Sequence, residues 1–167
     1  MEKNIINNKI LKLVKSIKPL LIDSVDGTLL FSLLDSEIDT SVVGDYSNEF
    51  NINISSSSTE KTLVDIYDVK KDYPLEDTFK SLGVSIDDLC LTQHQIINFL
   101  YLNRNRICRE KQTYIPFKIK DNYFYVSVRR RKKSKRNFIP IIWFGLLNNE
   151  SGFYKMDNPR ILVRHIK

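Results

Sequence analysis

The chain has 167 residues and a formal net charge of +6, which is the size of one ordinary domain. Hydrophobic residues make up 42% of it and charged residues 28%, so its composition excludes general disorder and allows a buried core. No apolar run approaches the roughly 18 residues that span a bilayer, and the lysine-rich N-terminus lacks the pattern of a secretory signal peptide. We therefore expect a cytoplasmic protein without an integral membrane segment.

Metal-ligating and nucleophilic residues are scarce. The chain has two cysteines and two histidines, too few to staple a small secreted scaffold or to complete a zinc site without other ligands. Five glycines, none arranged as a phosphate-binding loop, argue against a nucleotide fold. His94 stands between two glutamines near the start of a predicted helix, and we expect it at the surface. The sequence predicts no catalytic residue, no metal site and no cofactor.

Charge is strongly polarised along the chain. Residues 1–100 hold nine lysines and arginines against sixteen aspartates and glutamates, a net charge of −7. Residues 101–167 hold seventeen against four, a net charge of +13. An asymmetry of this kind indicates contact with a polyanion, or one part of the chain neutralising another.

The predicted fold class is α+β and begins with an amphipathic helix over residues 3–22. Apolar residues recur at spacings of three and four, Leu13 among them, and lysines lie mostly on the other face. Pro19 should end or kink this helix. We expect the helix to dock on its own chain and to bury Leu13.

An acidic antiparallel meander, a central helical region and a basic antiparallel sheet are predicted to follow. Thr92 is a good N-cap for the longer of the central helices. Residues 1–72 and 73–167 form two segments, either separate domains or one shared core. The predicted strands are residues 28–34, 50–54, 62–69, 114–120, 123–130, 138–147, 153–156 and 160–166, and the predicted helices after the first lie within 75–82 and 87–109.

A run of seven cations in eight residues, 129–136, is the sharpest local feature. It joins two aromatic-rich strands, which predicts a β-hairpin with a polycationic tip that lies along DNA or RNA and displaces counterions. Nearby aromatic side chains (Tyr123, Phe124, Tyr125, Phe138 and Trp143) offer stacking surfaces for unpaired bases, although alternation along a strand is also what core packing produces. The predicted nucleic-acid-binding residues are Arg129, Arg130, Arg131, Lys132, Lys133, Lys135 and Arg136, helped by Arg104, Arg106 and Arg109.

Two alternatives remain open. In the first, the protein is an interaction module, such as an immunity-like, adaptor or inhibitor protein, whose acidic middle meets a basic partner. In the second, less favoured, Asp68 and Lys70 share a strand face and join an upstream acid to form a metal-dependent nuclease site. The candidate residues of the acidic middle are Asp35, Glu37, Asp39, Asp45 and Glu49, and Asp45 also serves as the upstream acid in the second alternative.

Overall fold

The computed structural model describes residues 10–13, 20–28, 57–70, 74–107, 111–132, 138–147 and 159–166. These residues form an α+β fold of seven strands and three helices, in which strands predominate. The strands are β1 Leu11–Leu13, β2 Leu20–Ile22, β3 Thr62–Val69, β4 Thr113–Ile119, β5 Asn122–Lys132, β6 Phe138–Leu146 and β7 Arg160–Arg164. The helices are α1 Leu75–Lys80, α2 Ile86–Leu89 and α3 Gln93–Ile107.

All seven strands belong to one sheet, in the order β1-β3-β7-β4-β5-β6. Strand β2 also pairs with β3, so β1 and β2 follow one another along the same edge of β3. Every pairing of these strands is antiparallel except that of β4 with β7, which is parallel. The predicted antiparallel C-terminal sheet therefore agrees with the pairing of β4, β5 and β6 but not with that of β7. The pairing of β3 with β7 brings strands from both sides of residue 72 into the same sheet.

Two hydrophobic clusters cover the two faces of this sheet. Neighbouring residues of a strand point to opposite faces, and accordingly Ile66 belongs to one cluster and Tyr67 to the other. Helix α3 packs on the Ile66 face through residues such as Phe99. Helices α1 and α2 pack on the Tyr67 face, to which Phe79 and Leu89 contribute. Because the helices pack on the two faces, the strand termini and the charged residues beside them lie at the two ends of the sheet.

The N-terminal segment departs from its predicted structure. Leu11–Leu13 and Leu20–Ile22 are strands and not parts of a helix. The physical reason is the edge of β3: its unpaired backbone groups gain hydrogen bonds from an added strand, as when the Lys70 amide donates to the Ile10 carbonyl over 2.8 Å, and this tertiary gain outweighs local helix propensity. The burial also changes, because Leu11 is fully buried whereas Leu13 is 41% exposed.

The central helices follow the prediction more closely. The Thr92 hydroxyl accepts a hydrogen bond from the Gln95 amide, and the Gln95 side chain accepts one from the Thr92 amide, which is a capping box at the start of α3. The Gln95 side chain also donates to Thr62 at the start of β3. This anchoring presses the first turn of α3 against the sheet, so His94 is fully buried and the expectation that it lies at the surface was wrong.

The remaining predicted strands fall partly inside and partly outside the described residues. The strand predicted at residues 62–69 coincides with β3, and the predictions for β4, β5, β6 and β7 agree with the structure to within two residues at each end. Thr28 is the one described residue of the strand predicted at 28–34, and it is not in a strand. The rest of that prediction and the strands predicted at 50–54 and 153–156 lie outside the described residues. Within the described ranges no helix has both the length and the apolar character needed to cross a bilayer.

Candidate nucleic-acid interface

One end of the sheet gathers cations from segments that are far apart in sequence. At this end β3 and β5 finish, and β1, β4, β6 and β7 begin. We call it the basic end, since eight of its strand and flanking residues within the described ranges are cationic and one, Asp68, is acidic. The cations are Lys12, Lys70, Lys111, Arg129, Arg130, Arg131, Lys132 and Arg160.

Half of the predicted cationic run lies within a strand. β5 continues to Lys132, and its backbone pairs with β6 as far as the Lys132 to Phe138 position. Residues 131 and 132 were expected to lie in the connection after the strand, and this was wrong because the apolar start of β6 provides a pairing partner for them. The remaining predicted residues of the run, Lys133, Lys135 and Arg136, lie outside the described residues.

The predicted helper arginines are close to the basic end along the chain. Arg104 and Arg106 belong to the last two turns of α3, which ends at Ile107. Lys111, four residues later, lies two residues before β4, and four residues of chain span at most about 14 Å. The C-terminus of α3 therefore lies near the basic end, and cations are favoured there by the helix dipole. Arg109 lies outside the described residues.

A three-residue ion cluster organises the middle of the basic end. Lys111 Nζ and Arg160 Nε each donate a hydrogen bond of 2.9 Å to Asp68 Oδ1. All three side chains are mostly buried, with 19 to 28% of their surface exposed. Burial raises the pKa of the Asp68 carboxyl, but the hydrogen bonds from Arg160 and Lys111 outweigh it, so the pKa lies below its ordinary value. The cluster carries a net positive charge.

Sequence reasoning missed this cluster. Asp68 and Arg160 are 92 residues apart, and only the pairing of β3 with β7 places them opposite one another. The sequence held only a weak indication of this ion pair: Asp68 and Arg160 each stand near the boundary of a predicted strand, and they carry opposite charges. The cluster also argues against the nuclease alternative, because an aspartate already bound to two cations is poorly placed to hold a metal ion. Asp45, the other acid of that alternative, lies outside the described residues.

The predicted stacking residues have distinct environments, and Tyr123 and Phe124 stand at the start of β5, away from the basic end. Phe124 is buried in the core and cannot present a stacking surface. Tyr123 and Tyr125 are half-buried and pack against the cluster on the Tyr67 face. Trp143 is half-buried, and the Arg129 guanidinium carbon lies over its ring at 5.9 Å from the centroid. Trp143 is thus a predicted stacking residue in contact with a cation of the basic end.

The opposite end of the sheet is organised by pairs of opposite charge. Lys118 Nζ donates to Asp87 over 2.8 Å, and the Tyr123 hydroxyl donates to the other Asp87 oxygen over 2.9 Å. The hydrogen bond from Lys118 is the main cause of a lowered pKa at Asp87, and the same bond raises the pKa of Lys118. At this end His165 Nδ1 also lies 2.8 Å from a carboxylate oxygen of the buried Asp65.

No family model, curated protein or solved structure matches the chain. The function is therefore inferred from the residues of the chain itself.

The alternative interaction site was predicted on five acidic residues in the middle of the chain. Asp35, Glu37, Asp39, Asp45 and Glu49 all lie outside the described residues. Within the described ranges, histidine, cysteine and acidic side chains form no group of three or more suited to a metal ion.

Proposed function

We propose that this protein binds nucleic acid through the basic end of its sheet, as a binding protein and not as an enzyme. The observation that carries the proposal is the convergence of cations from β1, β5 and β7 and from the residues flanking β3 and β4. Cations arranged in this way neutralise backbone phosphates and release condensed counterions. The surface recognises the phosphate backbone, which DNA and RNA share.

The imbalance of charge at the basic end supports a polyanionic ligand over a solvated face. An ordinary solvated face mixes both signs of charge, whereas at the basic end Asp68 is the one acid beside eight cations among the described strand and flanking residues. Like charges held close together destabilise a fold by mutual repulsion. A bound polyanion relieves this repulsion, and a duplex or single strand supplies regularly spaced negative charge.

Three lysines elsewhere in the described structure pair with a nearby carboxylate. Lys61 lies 3.4 Å from Asp23, and Lys80 lies 2.7 Å from Glu76 one helical turn earlier. Lys118 is bonded to Asp87. At the basic end, in contrast, Arg129 lies over an aromatic ring, and Lys111 and Arg160 share a single carboxylate.

A gel-shift panel tests the proposal. Duplex DNA, single-stranded DNA and RNA of equal length are titrated with the full chain at salt concentrations from about 50 to 300 mM. We expect binding at low salt and a linear fall of log affinity with log salt, of about 0.9 per duplex phosphate contact and about 0.7 per single-strand contact. Heparin serves as the non-nucleic-acid polyanion. Absence of binding at 50 mM salt, or nucleic-acid binding no tighter than that of heparin at equal charge, would contradict the proposal.

A further inference from the structure

Trp143 is a large aromatic residue that the hydrophobic core does not use. It lies in β6 opposite Ser127 of β5 and is half-buried. Within the described structure it belongs to neither hydrophobic cluster, although its strand neighbours Ile142 and Phe144 are part of the core on the Ile66 face. Trp143 therefore points to the Tyr67 face of the sheet, without belonging to the described hydrophobic cluster on that face.

The partner of Trp143 on this face is a cation of the basic end. The Arg129 guanidinium carbon lies 5.9 Å from the centroid of the ring, and Arg129 is exposed. An exposed cation–π contact of this kind strengthens an interaction by about 2- to 5-fold. A nucleobase stacked on an aromatic ring contributes about 5- to 150-fold in affinity. A base that takes the place of the guanidinium on the indole is thus favoured, and the positive charge of Arg129 lies beside the phosphate of that base.

We propose that Trp143 and Arg129 form a stacking site for an unpaired base, so that the protein binds single-stranded nucleic acid in preference to duplex. This inference rests on the proposed function and specifies its substrate. Inside a duplex both faces of each base are already stacked, so Trp143 reaches an internal base only if the duplex is locally unstacked. A single strand offers its base faces without that cost, and a phosphate beside the stacked base lies near the exposed Arg129. The preference requires no base-specific hydrogen bond, because every base has a π-face.

Fluorescence makes the test direct, because Trp143 is the single tryptophan of the chain. A twelve-residue oligothymidine and a twelve-base-pair duplex are titrated separately into the full chain at low salt. We expect the single strand to bind at least about tenfold more tightly and to quench the tryptophan emission, as a base stacked on the indole does. The duplex should bind through phosphates alone and leave the emission nearly unchanged.

Two substitutions separate stacking from packing. Trp143→Phe keeps an aromatic face and should retain the single-strand affinity to within about threefold, whereas Trp143→Leu removes the π-system and should weaken it by about tenfold or more. Neither variant should change the affinity for duplex. Tyr101→Leu is the matched control, since Tyr101 is a half-buried aromatic residue that packs on the opposite face of the sheet, and it should leave both affinities unchanged. Thermal melts establish that each variant is folded.

The outcomes distinguish this inference from the function on which it rests. Equal binding of single strand and duplex, with unchanged emission and no loss in Trp143→Leu, would overturn the stacking site and leave the basic end as a phosphate-binding surface. Absence of binding to either oligonucleotide would overturn both. If Trp143→Leu fails to fold, the preference for single strands and the quenching of the wild-type protein decide the matter without it.

Discussion

The guanidinium of Arg160 donates a hydrogen bond of 2.9 Å to the carboxylate of Asp68, which ties the start of β7 to the end of β3 across 92 residues of sequence. Lys111 donates to the same oxygen. One carboxylate thus holds together two cations that would otherwise repel one another at the basic end. Asp68 has two opposite effects on the molecule, since it stabilises the fold and also weakens the positive potential that a polyanion meets.

Replacing Asp68 should separate these two effects. Asp68→Asn leaves Lys111 and Arg160 mostly buried without a counter-charge, so we expect the free energy of unfolding to fall by roughly 2 kcal/mol, between the values for exposed and fully buried pairs. The same variant should bind nucleic acid about twofold more tightly, because one negative charge is gone from the surface. Urea denaturation and a gel shift measure the two quantities. Asp121→Asn is the control, as Asp121 is an exposed acid in the turn at the opposite end of the sheet.

The loss in the free energy of unfolding caused by Asp68→Asn should depend on pH. The pKa of Asp68 is lowered in the folded protein from its ordinary value of 3.8, so its stabilising contribution is present above that value and is lost as the pH falls through the lower, folded pKa. The difference in stability between wild type and variant should therefore be constant from pH 5 to 7 and narrow below about pH 4. A difference that stays the same down to pH 2 would show that the carboxylate charge does not stabilise the cluster.

The strand assignment of the N-terminal segment is testable with two leucines of β1. Leu11 is fully buried and Leu13 is 41% exposed. We expect Leu11→Ala to lower the free energy of unfolding by about 2–3 kcal/mol through the cavity it leaves, and Leu13→Ala to change it by less than about 0.5 kcal/mol. Chemical denaturation of the two variants checks this. A larger loss for Leu13→Ala than for Leu11→Ala would instead support an amphipathic helix that buries Leu13.

The pairing of β5 with β6 depends on close contact between Tyr125 and Gly145. These residues lie opposite one another, and a Cβ at Gly145 would overlap the ring of Tyr125. Gly145→Ala should therefore lower stability by about 1–3 kcal/mol, as overpacking does. The same substitution should cost less in a Tyr125→Leu background, where the shorter side chain leaves room. Equal costs in the two backgrounds would show that the ring is not the obstacle.

Local patterns were sufficient to predict some elements of the fold. The strand predicted at Thr62–Val69, after the serine-rich stretch, has the observed limits. Thr92 was identified as an N-cap because the helical pattern began just after it. Both inferences rely on contacts within a few residues, which a sequence records directly.

Features that depend on tertiary pairing were not predictable in the same way. Apolar residues spaced by three and four at the N-terminus indicated a helix, but Leu11–Leu13 and Leu20–Ile22 pair as strands with the edge of β3. His94 was expected at the surface because it stands between two glutamines, yet anchoring of Gln95 to Thr62 buries the whole turn. The cationic run at 129–136 could be predicted from the sequence as part of the site. Lys111 and Arg160 could not, because only the order of the strands brings them to the basic end.

The salt dependence of binding in two charge-matched variants tests the basic end most directly. Arg129→Gln/Arg131→Gln removes two cations from the basic end, and Lys61→Gln/Lys120→Gln removes two from the opposite end of the sheet. Thermal melts confirm that both are folded. If the basic end contacts phosphates, the first variant should flatten the log–log salt slope for a single strand by about 1.4, or about 0.7 per lost contact, while the second keeps the wild-type slope. Equal slopes for both variants and the wild type would contradict a nucleic-acid-binding surface at this end of the sheet.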